Sequence, residues 1–227
     1  DKSTQYSSTD SKKAFHENLE NLPEDWYYRN NTVTYTVNSM GYRAGEFNKL
    51  DWGNSIVVFG CSQVFGIGVT DTNTMPYQLE QITGIPVINM GATGSSILHS
   101  FHNSIILRDG YPTPKAVIHM WSAIDRTVYY GGRKMGHCGP WNLADHEYMQ
   151  AWSKQRGHAE THALLASKAS KWLWKDTKYF EGSYFPETAK LLNCYSVNQV
   201  DSARDRIHPG HETHKTVALD IAKNLNI

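Results

Sequence analysis

The residues best suited to chemistry are one serine in the first third of the chain and an aspartate–histidine pair near its end. Ser62 lies in "NSIVVFGCSQVFGIGV", residues 54–69, after an apolar run and among glycines. A serine hydroxyl is a weak nucleophile until a base takes its proton. "DRIHPGH", residues 205–211, offers His208 as that base, three residues after Asp205. One turn can bring a carboxylate and an imidazole together at that spacing, so these side chains predict a nucleophile, a base and an orienting acid.

A parallel sheet would place these residues along one edge. Residues 55–60 form a continuous apolar run, as expected of a strand buried on both faces. Residues 86–90 are a second candidate strand, and 115–121 are a third that is expected to be buried. Helical spacing over 75–83 and 96–109 separates these strands. The alternation predicts a three-layer α/β/α sandwich with a central parallel sheet, in which ligands bind at the carboxyl ends of the strands.

The order of the glycine, serine, aspartate and histidine motifs resembles the sequence blocks of the SGNH (GDSL-like) hydrolases, a family of esterases, lipases and acetylhydrolases. The residues that match the blocks G-D-S-x-x-x-G, N-x-G-x-x-G and D-x-x-H-P are Gly60, Cys61, Ser62 and Gly66, then Asn89, Gly91 and Gly94, and finally Asp205, His208 and Pro209. The resemblance covers roughly residues 54–225. It implies a flavodoxin-like sandwich and a Ser62–His208–Asp205 triad that hydrolyses acyl esters without a cofactor.

The turns after the second and third strands carry the candidate oxyanion-binding and substrate-binding residues. Gly94 lies in the turn "NMGATG", and its backbone N–H is a candidate donor to a developing oxyanion. Asn89 begins the same stretch and either contacts substrate or supports the turn. After the third strand, "HMWSAIDR" lacks the oxyanion asparagine of the family and has Ala123 in its place. Because one missing donor lowers the rate of such an enzyme by ~10²–10³, we expect Ser122 or Arg126 to replace it.

Cys61 stands where the family has an aspartate. That aspartate is not a member of the family's triad, so its loss leaves the triad intact. A cysteine beside Ser62 is a rival nucleophile, but the register of the block favours Ser62.

Three histidines near the C-terminus invite a metal interpretation. His208, His211 and His214 are spaced H-x-x-H-x-x-H. Steps of three residues drift around a helix, and apart from Glu212 no acidic or cysteine residue nearby completes a set of ligands. We therefore predict no metal site and expect His211 and His214 to be solvated helix residues.

We divide the chain into an N-terminal extension, 1–53, and a hydrolase domain, 54–227. The extension is predicted to contain a short helix near 14–22 and an edge strand at 32–37. Residues 1–13 are polar and are predicted to be loose, which leaves room for attachment to a larger assembly through the N-terminus.

Residues 127–185 are irregular and rich in aromatic side chains. They predict a helical insertion, or cap, over the sheet rather than another strand–helix unit, with helices near 143–156 and 160–176. The alternative is that the aromatic side chains form a wall for a substrate. The only further strand candidate is 191–197.

Composition narrows the range of partners. Lys+Arg and Asp+Glu both number 22, so the formal net charge is zero and nothing favours nucleic acid or an anionic membrane as a partner. No apolar stretch approaches the ~20 residues of a membrane span. No signal peptide is recognisable in the chain, and its compartment stays open.

The function that fits best is a serine esterase acting on a small-molecule or carbohydrate ester. A short acyl group such as acetyl is expected, because no long apolar run suggests a tunnel for a lipid. The alternative is a non-catalytic binding or structural module on the same fold, which the missing oxyanion asparagine favours.

Overall fold

The described part of the chain alternates strands with helices. The structure is a computed structural model that describes residues 2–131, 134–139, 141 and 158–227. Its strands are β1 (Lys2–Thr4), β2 (Tyr35–Val37), β3 (Ile56–Gly60), β4 (Val87–Gly91), β5 (Ala116–Trp121), β6 (Thr127–Gly131), β7 (Lys134–Cys138), β8 (Lys178–Ser183) and β9 (Tyr195–Ser196). Its helices are α1 (Lys12–Asn21), α2 (Ser62–Phe65), α3 (Met75–Thr83), α4 (Ile97–Gly110), α5 (Ala159–Leu173), α6 (Pro186–Leu192) and α7 (His211–Leu225). Single 3₁₀ turns lie at Tyr27–Arg29, Phe47–Lys49, Trp52–Asn54 and Asp71–Asn73. None of the helices in the described ranges is long and apolar enough to cross a membrane.

Five strands form one parallel sheet in the spatial order β4-β3-β5-β8-β9. Numbered along the chain from β3, this is the 2-1-3-4-5 order of flavodoxin-like doubly wound folds. The predicted α/β sandwich with a central parallel sheet is confirmed, and the strands predicted at 55–60, 86–90 and 115–121 correspond to β3, β4 and β5. The strand order reverses between β3 and β5, so a ligand is expected at the carboxyl ends of these two strands.

Alternate side chains of the central strands fill two cores on opposite faces of the sheet. On one face, Ile56 and Ile118 belong to a core completed by α3 and α7. On the other face, Val57 and Val117 belong to a core completed by α4. Successive residues of a strand point to opposite faces, so burial of both faces explains the continuous apolar runs.

The structure corrects the predicted insertion at 127–185. The segment begins with the antiparallel hairpin β6–β7. Its later part contains α5, which packs against α4, and β8, which pairs in parallel with β5 inside the central sheet. Those two elements are a regular helix and strand of the sandwich. The helix predicted near 143–156 lies outside the described residues.

A buried carboxylate explains why β8 does not show the apolar pattern of its neighbours. Glu181 lies in β8, and its Oε2 accepts hydrogen bonds from Trp121 Nε1 at 3.1 Å and Ser167 Oγ at 2.8 Å. Its other oxygen, Oε1, forms an ion pair with Lys171 of α5. The charge of Glu181 is therefore compensated by residues outside the strand. Because these partners are not visible in the sequence "KYFEGS", that sequence alone does not predict a buried strand.

The residues predicted to form an N-terminal extension fold against the rest of the described chain. The predicted edge strand at 32–37 shortens to β2, which pairs with β1 in a separate antiparallel sheet. The predicted helix near 14–22 corresponds to α1, whose N-cap Ser11 accepts the Ala14 N–H at 3.1 Å. The prediction that residues 1–13 are loose is wrong, because Asp10 is fully buried and pairs with Arg204 at 2.9 Å.

Two histidines are buried in the core in their neutral form. His119 of β5 stacks between Phe59 and Trp121, with ring centroids 5.0 Å and 4.2 Å away. His214 of α7 accepts the Met75 N–H on Nδ1 at 3.0 Å. Burial lowers the pKa of both imidazoles to about 3. His214 was expected to be solvated, and the structure corrects that prediction: its ring nitrogen satisfies the first N–H of α3.

The protein is predicted to lose stability as the pH falls below about 6.5, because these two histidines bind protons in the unfolded chain but not in the folded protein. Between pH 7 and pH 5, each should lower the free energy of unfolding by about 2 kcal/mol. Between pH 7 and pH 5, the free energy of unfolding of His119→Leu should therefore fall by about 2 kcal/mol less than that of wild type, as measured by urea titrations at each pH. This difference is expected whatever the stability of the variant at pH 7. The matched variant at an exposed histidine, His102→Gln, should keep the wild-type dependence. Equal pH dependence in all three proteins would contradict a neutral His119.

Candidate active site

Ser62 is the first residue of α2 and directly follows Cys61, which ends the turn from β3. It therefore stands at the carboxyl edge of the sheet, where the strand order reverses. Gly91 at the end of β4 makes this placement sterically feasible, because a Cβ there would come within 2.3 Å of the Phe65 backbone nitrogen. The glycine lets α2 rest on β4, and Ser62 is 6% exposed.

His208 links Ser62 to Asp205. The imidazole Nε2 lies 2.9 Å from Ser62 Oγ, and Nδ1 lies 2.7 Å from Asp205 Oδ2. The intervening residue Arg206 has a φ of 61°, in the left-handed region that turns the chain tightly. The structure thus brings together the serine, histidine and aspartate that the sequence singled out.

Asp205 accepts hydrogen bonds on both carboxylate oxygens. Oδ1 accepts the backbone N–H groups of Ile207 at 3.0 Å and His208 at 3.1 Å, and Oδ2 accepts the Thr9 hydroxyl at 2.6 Å besides the imidazole. Burial by itself would raise the pKa of this carboxyl. The hydrogen bonds and charge of His208, together with the Thr9 hydroxyl, outweigh burial and hold the pKa of Asp205 below its ordinary value. The side chain is therefore a carboxylate that can orient an imidazole and stabilise an imidazolium.

A glycine brings the loop of the acid and base against the loop of the nucleophile. Gly68 has a φ of +78°, and a Cβ on it would lie 2.6 Å from Ala203 Cβ and 2.9 Å from the Arg204 nitrogen. The Arg204 N–H donates to the Gly68 carbonyl at 3.1 Å. Two segments about 140 residues apart thus share a backbone hydrogen bond beside the site.

Gln63 is a site residue that the sequence reasoning missed. Its Oε1 lies 3.0 Å from Ser62 Oγ. A hydroxyl has one proton, so Ser62 donates either to His208 or to the Gln63 side chain at any moment. The position immediately after the serine of the first block is the only signal in the sequence that could have pointed to it.

Gly94 lies in the turn after β4, as predicted, with a φ of +71°. Among the described residues, its N–H donates no backbone hydrogen bond. Trp141 lies beside this turn, with Cζ2 at 3.6 Å from the position of a Cβ on Gly94. The turn therefore places the Gly94 N–H beside the ring of Trp141.

The Asn89 and Ser122 side chains both bind backbone groups. Asn89 supports the turn, which is one of the two roles considered for it, whereas Ser122 was expected to act as an oxyanion donor. The Asn89 Nδ2 donates to the Val64 carbonyl at 3.0 Å, and its Oδ1 accepts the Gly91 N–H at 2.9 Å. The Ser122 hydroxyl donates its proton to the Ser95 carbonyl at 2.8 Å and is fully buried. Both side chains hold the turns that carry Ser62 and Gly94.

Arg126 faces a cavity of about 820 Å³ beyond the carboxyl ends of β5 and β8. Its guanidinium carbon lies 5.2 Å from the ring centre of Trp141 and 5.1 Å from that of Phe185. The residues that line the cavity are Ala123, Ile124, Asp125, Arg126, Trp141, Ala159, Glu160, Phe185, Pro186, Glu187 and Thr188. Because Trp141 borders both this cavity and Gly94, the cavity adjoins the turn that carries Gly94.

The remaining histidines of the H-x-x-H-x-x-H spacing diverge. His211 stacks on Tyr27 with ring centroids 3.9 Å apart, His214 is buried against Met75, and only His208 reaches Ser62. Within the described ranges, no three His, Cys, Asp or Glu side chains are grouped to hold a metal ion. Cys61, the rival nucleophile, is 1% exposed.

Comparison with known proteins finds similar structures but no similar sequences. No family model matches the chain, and no curated protein matches it. A protein of Bacteroides uniformis ATCC 8492 described as a GDSL-like lipase is 12% identical over 77% of this chain and 96% of its own, with a TM-score of 0.45. The psychrotrophic esterase EstA from Pseudoalteromonas sp. is 14% identical over 77% of this chain and 100% of its own, with a TM-score of 0.43. A carbohydrate esterase family 2 enzyme from Corynascus thermopiles (Myceliophthora fergusii) is 12% identical over 76% of this chain and 65% of its own, with a TM-score of 0.41.

Proposed function

We propose that the protein is a serine esterase of the SGNH type that hydrolyses carboxylic esters. The observation that carries this proposal is the continuous hydrogen-bonded chain from Ser62 Oγ through His208 to Asp205. A nucleophile in contact with a base, and a base in contact with an orienting carboxylate, is the arrangement that acyl transfer requires.

In the first half of the reaction, His208 Nε2 takes the proton of Ser62 as Oγ attacks the ester carbonyl carbon. Asp205 holds the Nδ1–H and stabilises the imidazolium that forms. The tetrahedral intermediate collapses when the carbon–oxygen bond to the alcohol breaks and His208 returns the proton to the leaving oxygen. In the second half, His208 activates a water that attacks the acyl-serine, and the carboxylic acid leaves with Ser62 restored.

The oxyanion of the intermediate needs donors beside Ser62. The Ser62 N–H lies at the start of α2, where the first N–H groups have no partner within the helix, and the Gly94 N–H is a second donor. The Gln63 carboxamide is placed to supply the third, in place of the missing asparagine, because its terminal atoms lie beside Ser62 Oγ. Rotation of that amide by half a turn exchanges its oxygen for the NH₂ group.

The substrate that fits is a short-chain ester, such as an acetate, whose alcohol part is a carbohydrate or another polyhydroxylated molecule. The cavity beside Gly94 has room for such an alcohol and combines aromatic faces with one guanidinium and three carboxyl groups. Arg126 would donate hydrogen bonds to hydroxyl or anionic groups there.

Arg126→Ala is expected to raise KM about tenfold for esters with a large hydroxylated or anionic alcohol. The KM for a small neutral acetate should change little. Steady-state kinetics on a panel of sugar acetates and a chromogenic acetate would measure this difference. Arg108→Ala removes an arginine from the surface of α4 and serves as the matched control. Unchanged kinetics of Arg126→Ala on every substrate would remove Arg126 from the site.

The proposed reaction is tested by the rapid mixing of wild type with a chromogenic acetate ester. A covalent acyl-serine predicts a burst of released alcohol that approaches the enzyme concentration, followed by a slower steady state in which the acyl-enzyme is hydrolysed. Absence of both burst and turnover on a broad ester panel would contradict the proposal and would leave a binding module on the same fold.

A further inference from the structure

The N-terminal segment of residues 5–18, here called the N-terminal clamp, contacts the loop that carries the acid and the base. Asp10 accepts hydrogen bonds from Arg204 Nε at 2.9 Å and Nη2 at 2.9 Å, and this pair is buried. Arg204 also donates to the Gln5 carbonyl. A buried two-pronged pair of this kind fixes both partners in distance and direction.

Further contacts join the clamp to Arg204. The guanidinium lies 4.9 Å from the ring centres of both Tyr6 and Phe15. The Asn18 Nδ2 donates to the Arg204 carbonyl at 2.9 Å. Because Arg204 immediately precedes Asp205, the clamp sets the position of the triad acid through the backbone.

Asp10 also connects the clamp to the loop of the nucleophile. The Tyr35 hydroxyl donates to Asp10 and accepts the Gly68 N–H at 2.7 Å. Gly68 belongs to the loop that follows Ser62. One buried carboxylate of the clamp therefore ties together the two loops whose side chains form the triad.

Thr9 is the clamp residue that contacts the triad itself. Its Oγ1 donates to Asp205 Oδ2 at 2.6 Å, the same oxygen that accepts from His208 Nδ1. The backbone places it there, since Ser7 and Asp10 exchange two hydrogen bonds of 3.1 Å across the turn that contains Thr9. The other oxygen, Oδ1, is held by backbone N–H groups, so the carboxylate is fixed from both ends.

We propose that Thr9 is a positioning residue that orients the Asp205 carboxylate toward His208, so that the N-terminal clamp is part of the catalytic machinery. This inference rests on the proposed esterase function. With the Thr9 hydroxyl gone, Oδ2 has one fixed donor fewer, and the carboxylate is freer to rotate away from Nδ1. The result is a smaller fraction of molecules with His208 aligned for proton transfer, and binding of the ester is unaffected.

Thr9→Val is the direct test, because it keeps the shape of the side chain and removes only the hydroxyl. We expect kcat on a chromogenic acetate to fall about tenfold with KM within about twofold of wild type, and Thr9→Ser to restore most of the rate. Thr4→Val removes the hydroxyl of a neighbouring threonine, which donates to the Tyr6 carbonyl and not to the triad, and the variant should behave as wild type. Thr9 is exposed, so the thermal midpoint of each variant should stay close to that of wild type.

Two comparisons make the role of the hydroxyl falsifiable. If Thr9→Val has a lowered thermal midpoint, Thr9→Ser and Thr9→Ala can be compared instead, because these two variants differ only in the hydroxyl group. Equal kcat values for that pair would overturn the proposal. In a double-mutant cycle, Thr9→Val should lower kcat about tenfold in the wild-type background and little in the Asp205→Asn background, because the two residues act through one contact. Equal losses in both backgrounds would also overturn it. An active wild type with a fully active Thr9→Val contradicts the role of Thr9 alone, whereas an inactive wild type contradicts the esterase function and this inference with it.

Discussion

Ser62→Ala is expected to lower kcat on a chromogenic acetate by about 10⁴-fold or more. The methyl group cannot attack a carbonyl, so the covalent pathway disappears and only stabilisation of a water attack by the remaining groups is left. KM should change little, because Ser62 contributes to the reacting bond rather than to the cavity beside Arg126. The measurement is kcat and KM for purified wild type and variant, with circular dichroism to show that both are folded.

Cys61→Ala is the control for this prediction, since it removes the rival nucleophile next in sequence. The variant should retain kcat within about tenfold of wild type, because the Cys61 thiol is buried while His208 contacts Ser62. The reverse outcome, with Ser62→Ala active and Cys61→Ala inactive, would transfer the nucleophile to the cysteine and contradict the assignment.

Asp205→Asn is expected to lower kcat about 10⁴-fold at neutral pH. The amide nitrogen would donate to His208 Nδ1, so the ring would carry its proton on Nε2, facing Ser62, and could not accept the serine proton. Because the pKa of Asp205 lies below its ordinary value, the wild-type carboxylate remains charged at weakly acidic pH. Loss of wild-type activity between pH 7 and pH 5 therefore has a cause other than protonation of Asp205.

The matched control for this second prediction is Asp220→Asn. Asp220 is a partly buried carboxylate of α7 that accepts the Tyr195 hydroxyl at 2.6 Å, far along the helix from the site. The variant removes one charge without changing the triad and should keep wild-type kcat. Similar losses in the two variants would show that net charge or stability, not the orientation of His208, explains the result.

The sequence was most informative where one local pattern dominates. The strands β3 and β5 are buried on both faces, so their apolar runs are visible without tertiary information. The spacing of Asp205 and His208 is a local turn, and their contact follows from it. The contact of His208 with Ser62 came from the motif order, and the parallel sheet supplies its physical basis by placing strand ends along one edge.

Features that depend on distant partners were predicted poorly. β8 contains Glu181, whose burial is acceptable only because Trp121, Ser167 and Lys171 surround it. Residues 1–13 were predicted to be loose because they are polar, and the burial of Asp10 depends on its pairing with Arg204, 194 positions later. No local property of either segment reveals these pairings.

The roles of short polar side chains in the turns could not be fixed from the sequence. Two roles stayed open for Asn89, and Ser122 was expected to bind an oxyanion, but both side chains bind backbone groups of neighbouring turns. Which group a side chain binds depends on the path of the backbone within a few ångströms, which residue type and spacing do not determine. Gln63 was overlooked for the same reason, since only the geometry shows its side chain beside Ser62 Oγ.

A serine nucleophile activated by His208 can be detected by treating the folded protein with a fluorophosphonate and locating the adduct by peptide mass spectrometry. We expect one phosphonylated residue, Ser62, with labelling abolished in Ser62→Ala and strongly slowed in His208→Asn. A fully folded protein that takes up no label, or that carries it on Cys61 or elsewhere, would contradict a serine nucleophile activated by His208.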